Sequence, residues 1–351
     1  MNEAELTTCG PARAPIPLKA RGKHLVVDVH CHMGSAAAEA IVRAAPRPAA
    51  PPAPVSALTR EINRRQIETV GEALNGVEAR LAEMDRLGID VQVVSPSPGQ
   101  YYYATDPDVG LAASRAINDR IAEAVASHPD RLAGMGAVPL QAPELAVGEL
   151  RRCVSELGLR GVEICTNVNG RDLSDPTLRP FLAAAEELGM VVFIHPMGFN
   201  HPRFSEHYFS NVIGNPLEST LAVGHLIFGG VLDQLPGLKV CVAHGGGYLP
   251  AYFGRMDHVH RARADGREHI HRPPSSYLRQ IWLDTLVFDR AQRDFLIATH
   301  GPDRLCLGSD WPFDMGEPDP VGFHADLPDG VKAKLLGLNA AALFGLEVAA
   351  P

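Results

Sequence analysis

Apolar residues along this chain fall into short runs, separated by longer stretches with helical spacing. The first run is Leu25-Val26-Val27-Asp28-Val29-His30-Cys31-His32. It is short, rich in β-branched residues and followed by Gly34-Ser35-Ala36, which predicts a buried strand. Runs of the same kind follow at 89–95, 132–138, 161–166, 190–195, 238–244, 281–285 and 304–310. Helical periodicity recurs between them. A helix is predicted from Asn75, with Glu78 completing a capping box, Val77, Leu81 and Met84 forming a buried stripe, and Gly88 ending it. Further helices are expected at 107–127, 143–157, 176–189, 217–228, 250–263, 290–299 and 330–338, the third of these opened by Asp175-Pro176. Strict strand–helix alternation implies a parallel sheet, and eight such units predict closure into a (β/α)8 TIM barrel. A single barrel domain is expected over 24–346, with an N-terminal extension at 1–23 and a C-terminal tail at 347–351.

One stretch breaks the pattern. Residues 44–57 are rich in proline and alanine, with too little apolar bulk for a core. An extended or mobile insertion after strand one is expected there, overhanging the barrel mouth.

Chemistry in such a barrel gathers at the C-terminal ends of the strands. Strand one ends in His30-Cys31-His32, and residues two apart on a strand point the same way. Strand five ends in His195, strand six in His244-Gly245-Gly246-Gly247, and strand eight in Asp310. A lone buried histidine is more often a hydrogen-bonded core residue than a ligand, and an Asp after a strand is often a helix cap. Several of them at barrel-mouth positions together point instead to a metal site. Three imidazoles and a carboxylate suit a borderline divalent cation such as Zn²⁺, with Mn²⁺ second, and a further imidazole suits acid–base work beside it. His258 and His260 lie on a predicted helix, where residues two apart face in divergent directions. His269 and His271 lie in a polar loop. Both pairs read as surface residues. The glycines after His244 read as close backbone approach rather than as a phosphate loop.

Composition narrows the class. Apolar residues make up 46% of the 351, enough for a large core, and the net charge of −9 comes without a basic run. Nucleic acid and anionic membrane surfaces are not expected partners. No apolar stretch approaches the length of a membrane span, and the N-terminus has no signal-like core. The six cysteines show no CxxC and several sit in strand-like runs, which fits free thiols and a cytoplasmic location.

Several segments together resemble the aminocarboxymuconate semialdehyde decarboxylase family within the amidohydrolase superfamily. They are 139–147, 153–161, 240–247, 307–313 and 339–345, and the likeness runs from about His24 to Leu346. The resemblance implies a metal-dependent, non-oxidative decarboxylase acting on a small unsaturated or aromatic carboxylic acid. It implies His30, His32, His195 and Asp310 as metal ligands and His244 as the acid–base residue. It also implies Arg255, in Phe253-Gly254-Arg255-Met256, as a carboxylate-binding residue reaching across a homodimer interface. Histidine rather than glutamate at position 30 favours the muconate-semialdehyde branch. The tryptophan of that branch is missing after His195-Pro196, where Met197-Gly198-Phe199 stands instead. A second carboxylate-binding arginine would come from Arg60, Arg64 or Arg65. Phe199, Tyr102 (within Tyr101-Tyr102-Tyr103) and Trp311 are further candidates to touch substrate. The same site would equally serve a hydrolase or hydratase acting on a ring-cleavage product.

Overall fold

The computed structural model describes residues 17–18, 20–46, 55–199 and 201–348. Most of the proline- and alanine-rich stretch, 47–54, lies outside them, as do most of the extension and residues 349–351. Eight parallel strands form one sheet: β1 (Val27–Met33), β2 (Val91–Pro96), β3 (Leu132–Gly136), β4 (Gly161–Ile164), β5 (Val191–Ile194), β6 (Lys239–Val242), β7 (Ile281–Asp284) and β8 (Leu305–Cys306). Each pairs with the next in chain order. The ends are joined by Val29 N–H to Leu307 O (3.0 Å), His32 N–H to Trp311 O (2.9 Å) and Asp310 N–H to His30 O (2.7 Å). The sheet thus closes into a (β/α)8 barrel. Outside it, Pro17–Leu18 pairs in parallel with Glu347–Val348. Among the described residues no helix is long and apolar enough to cross a membrane.

Side chains divide by the two-residue period of a strand. Val191 and Phe193 belong to the core inside the barrel, with Val27, Val29, Val91 and Val93. Val192 and Ile194 belong to the layer between strands and helices. The row Val191–Phe193 therefore continues inward to His195. Strand β1 breaks its own period. Its register against β2 shifts between Asp28 and Cys31, which leaves one extra residue on β1. Before this bulge the inward residues are Val27 and Val29; after it, Cys31 and Met33 pack in the outer layer. The bulge turns His30 and His32 inward together, and bulges commonly re-aim side chains in this way.

Two differences from the sequence expectation bear on the site. A helix spans Ala57–Asn75, where none was expected. Only Thr59 and Leu74 on it are buried, so it carries no apolar stripe to read. The next helix runs Val77–Leu87, and no capping box starts at Asn75. Asn75 ends the preceding helix, and its carboxamide donates back to Gly71 O (2.8 Å). The regular parts of β6 and β8 also stop short of the site residues. His244 lies two residues beyond Val242 and Asp310 four beyond Cys306, both in left-handed backbone (φ 56° and 58°). Non-glycine residues adopt that region at a cost on the order of 1–2 kcal/mol.

Gly308, between β8 and Asp310, is wedged against the site. A Cβ there would lie 2.9 Å from the Cβ atoms of both His30 and Asp284. Gly308→Ala is expected to lose about 1–3 kcal/mol in denaturant unfolding. Gly148→Ala is the control: a Cβ there meets nothing within 4 Å on the helix Pro143–Ser155, and it is expected to gain about 0.4–1 kcal/mol.

Candidate metal site

His30, His32, His195 and Asp310 meet inside the mouth of the barrel. One ligating atom from each lies within 4.8 Å of the other three, and all four residues are buried. Among the described residues this is the one group of its kind. The two residues of the β1 exit are fixed by the hydrogen bonds of their outer ring nitrogens. His30 Nδ1 is 2.6 Å from Asp284 Oδ2, and His32 Nδ1 is 2.9 Å from Pro96 O. A carbonyl can only accept, so His32 carries its proton on Nδ1 and presents a lone pair at Nε2. The Asp284 carboxylate does the same for His30. This leaves His30 Nε2, His32 Nε2, both ring nitrogens of His195 and Asp310 Oδ1 buried without a protein hydrogen-bond partner. Buried polar atoms are rarely orphaned, and one from each of four residues converging on one point fits an occupant. Three imidazole nitrogens and one carboxylate oxygen fit a divalent cation.

The electrostatics agree. Burial, reinforced by His30, His32 and His244, holds the His195 pKa well below its usual value, so the ring is neutral and able to ligate. Burial works against ionising Asp310, but His30, His244 and His32 outweigh it and hold its carboxyl well below the usual range. Burial likewise opposes charging His30, yet Asp310 and Asp284 prevail and push its pKa up to about 10. The cluster attracts positive charge.

His244 stands beside this set. Its Nε2 is 3.9 Å from Asp310 Oδ2, and its Nδ1 is buried without a partner. The glycines that follow shape the turn, as expected. Gly245, Gly246 and Gly247 all have positive φ, and a Cβ on Gly247 would meet Pro216 O at 2.1 Å. Asp284 ties this turn to the metal ligands: its Oδ1 accepts the Gly245 N–H (2.8 Å) while its Oδ2 holds His30.

The layer behind the ligands escaped the sequence reading. Asp28 accepts from Ser309 Oγ (2.6 Å) and Gln92 Nε2 (3.0 Å). Arg80 is fully buried, donates to Gln92 Oε1 (2.8 Å) and to His32 O, and stacks 4.5 Å over the Trp311 ring. Glu163 is buried behind His32, and its Oε1 accepts from Tyr101 OH (2.8 Å). Asp284 did carry a signal, a carboxylate at the end of an apolar strand like the others. Asp28 and Glu163 also stood inside apolar strand runs, a charge flanked by valine and isoleucine; Arg80, on a helix, had no such signal.

A cavity of ≈ 360 Å³ opens on the site and reaches His195 and Asp310. A second, of ≈ 280 Å³, reaches His244 and shares Asn211, Asn215 and Met315 with the first. The expected substrate contacts do not line these two cavities within one chain. Arg255 is exposed on the helix Leu249–Ala262. Phe199 packs against Phe204 at 5.0 Å between ring centroids. Tyr102 packs half-buried on the outer core, and Trp311 lies under Arg80. None of the four lines either cavity. Tyr101 and Tyr103 are buried, and the Tyr101 hydroxyl lies 3.1 Å from His195 O. Arg60, Arg64 and Arg65 also miss the cavities: Arg60 donates to Val55 O, and the other two pair with Glu61 on the solvent side of their helix. From that same helix, Asn63, Gln66 and Ile67 line the larger cavity.

Comparison with known proteins places this geometry in context. A family model described as Amidohydrolase matches residues 27–346. The 2-amino-3-carboxymuconate-6-semialdehyde decarboxylase of Dictyostelium discoideum is 38% identical over 275 residues, covering 77% of this chain and 77% of that protein. The gamma-resorcylate decarboxylase of Rhodococcus jostii is 28% identical over 297 residues, covering 77% of this chain and 88% of that protein. Among solved structures, the 5-carboxyvanillate decarboxylase of Sphingomonas paucimobilis superposes with a TM-score of 0.82 at 26% identity, covering 93% of this chain and 100% of that one.

Asp284→Asn tests the second layer. The amide NH₂ cannot accept from His30 Nδ1–H, and turning its oxygen to His30 abandons Gly245. Metal affinity is expected to fall about 10- to 100-fold in competition titrations with a chromophoric chelator. Unchanged affinity would show that His30 is oriented by packing alone.

Proposed function

The chain belongs to the amidohydrolase family, and on that premise we propose that it is a divalent-metal-dependent, non-oxidative decarboxylase, releasing CO₂ from a small unsaturated or aromatic carboxylic acid. The observation that carries this reading is the buried donor cluster with its ligating atoms left unpaired, flanked by one imidazole outside the set. The relatives at 38% and 28% identity, and the structural neighbour at 26%, are all named decarboxylases.

In this reading His30, His32, His195 and Asp310 hold the cation, and the N₃O donor set favours Zn²⁺, with Mn²⁺ second. A cation held there supplies Lewis-acid polarisation of a substrate oxygen. Asp284 and Pro96 O keep the His30 and His32 tautomers correct. His244, partly open to the cavity, holds the working proton. It delivers that proton to the carbon bearing the carboxylate. The C–C bond to the carboxylate then breaks, its electron pair returns to the unsaturated system, and CO₂ leaves. One proton is consumed per CO₂ and no electrons change hands, so no redox cofactor is needed. We propose a homodimer as well. Arg255 is exposed beside Tyr252 (51% exposed) on the same helix, with Tyr248 and Phe288 also exposed nearby in the smaller cavity. A second copy covering these aromatics would let Arg255 serve the neighbouring subunit's substrate carboxylate, a task suited to its planar fork. The five described cysteines are unpaired and buried, which supports a reducing, cytoplasmic setting.

CO₂ release from a panel of aromatic and muconate-type acids is expected to vanish on chelation and return with Zn²⁺ or Mn²⁺. His244→Asn is expected to lower kcat about 10²- to 10⁴-fold while metal content, read by elemental analysis, stays at one per chain. Incorporation of solvent ¹⁸O without CO₂ would instead identify a hydratase or hydrolase.

A further inference from the structure

The helix Ala57–Asn75 lies over the mouth and is held at its two ends. Ser56 N–H bonds Ser205 O (2.8 Å) and Ser56 Oγ caps Thr59 N–H (3.1 Å). At the far end Leu74 O accepts from Gly34 N–H (3.0 Å) and Asn75 O from Arg120 (2.8 Å). Between these anchors its two faces differ. Glu61, Arg64, Arg65 and Glu68 bond to one another in solvent. Asn63, Gln66 and Ile67, spaced three and four residues apart and hence on one face, line the cavity that contains His195 and Asp310. Gln66 Nε2 is shielded from solvent and has no partner.

The rest of that cavity is consistent in character. Asn215 spends its carboxamide oxygen on Gly198 N–H (2.6 Å), so it turns the NH₂ donor outward. The Tyr208 phenol, pushed up to about 12 by burial with Asp314 and Asp310 adding to it, stays a protonated donor. Among the described residues that line the cavity there is no lysine or arginine, and the charged ones are Asp310 and Asp314. A substrate group at the helix side of the cavity therefore meets the neutral side chains of Asn63 and Gln66. A second carboxylate there would find no lysine or arginine among the described residues of its own chain that line the cavity, and Asp310 and Asp314 add negative charge to that lining, which disfavours it. An uncharged oxygen acceptor would satisfy Gln66 Nε2 without that cost.

We propose that Asn63 and Gln66 are specificity-determining residues that take an uncharged, oxygen-bearing substituent of the substrate, distal to the carboxylate that is lost, so that the enzyme selects hydroxylated monocarboxylates over dicarboxylates. The inference rests on the decarboxylase reading for its chemistry and on the cavity lining for its selectivity.

The test uses the full-length, metal-loaded protein and three acids on one benzoate scaffold, bearing a hydroxyl, a methyl or a second carboxylate at the distal position. Wild type is expected to favour the hydroxylated acid over the dicarboxylate at least about 10-fold in kcat/KM. Asn63→Ala and Gln66→Ala are each expected to cut the hydroxyl-to-methyl ratio about 3- to 10-fold, mainly through KM, the size of one net hydrogen bond. Gln66→Arg is expected to shift preference toward the dicarboxylate. A dicarboxylate turned over as well as the hydroxylated acid by wild type, or a hydroxyl-to-methyl ratio unmoved in both alanine variants, would overturn the assignment while leaving the decarboxylase standing. Calorimetric binding of the same acids separates the opposite case. Tight binding of the hydroxylated acid that weakens in Gln66→Ala, with no CO₂ from any acid, would sustain the selectivity and remove the decarboxylase.

Discussion

The backbone carbonyl of His30 accepts two N–H groups from the far end of the chain, Asp310 at 2.7 Å and Ser309 at 3.3 Å. This is the seam that closes the barrel, and it sets a ligand from β1 beside the ligand that follows β8. The seam works because of the bulge just before it. Had β1 kept its period past Val29, Cys31 and Met33 would enter the barrel, and His30 and His32 would be buried among aliphatic helix side chains. One extra residue exchanges the two sets. The polar groups that the bulge brings inside are then satisfied in turn. Asp28 takes the Ser309 hydroxyl and the Gln92 carboxamide, and Arg80 takes Gln92 and the carbonyl of His32. A buried network of this kind is favourable only when every member is paired. Among the atoms left unpaired, one from each of His30, His32, His195 and Asp310 converges on one point.

Asp284 joins the two halves of the site. With one oxygen on His30 and the other on the Gly245 N–H, it makes the ligand geometry and the His244 turn parts of one rigid unit. That turn holds a left-handed histidine and three left-handed glycines in succession. A shift of Asp284 would therefore reach both a ligand and the neighbouring imidazole, and a Cβ at Gly308, 2.9 Å from the Cβ atoms of Asp284 and His30, would press on both.

The barrel and the metal donors were legible because strands are short apolar runs, and a polar residue ending such a run stands out. His30, His32, His195, His244 and Asp310 all carried that signature. The bulge was not legible. Val26 through Met33 is buried on both sides of the strand, so the sequence shows no alternation whose phase could change. The helix Ala57–Asn75 was hidden for the opposite reason, since nearly all of it faces solvent or the open mouth. Its Arg64 and Arg65 pair with Glu61 and Glu68, Arg60 donates to Val55 O, and the residues turned to the cavity are the neutral Asn63, Gln66 and Ile67. Arg255 matched a motif, but its helix is on the outside of its own chain. Motifs identify residues; only packing decides which wall they occupy.

The seam also has a consequence for how the protein is made. Residues 30 and 310 share a site although 279 positions separate them, and nearly every strand must be in place before they meet. An emerging chain that has not yet released β8 holds three histidines and no carboxylate. The cation site is thus complete only once the barrel has closed. Once filled, it acts as a clasp across the two ends of the sheet, because any ion that prefers the closed barrel draws the folding equilibrium toward closure by mass action.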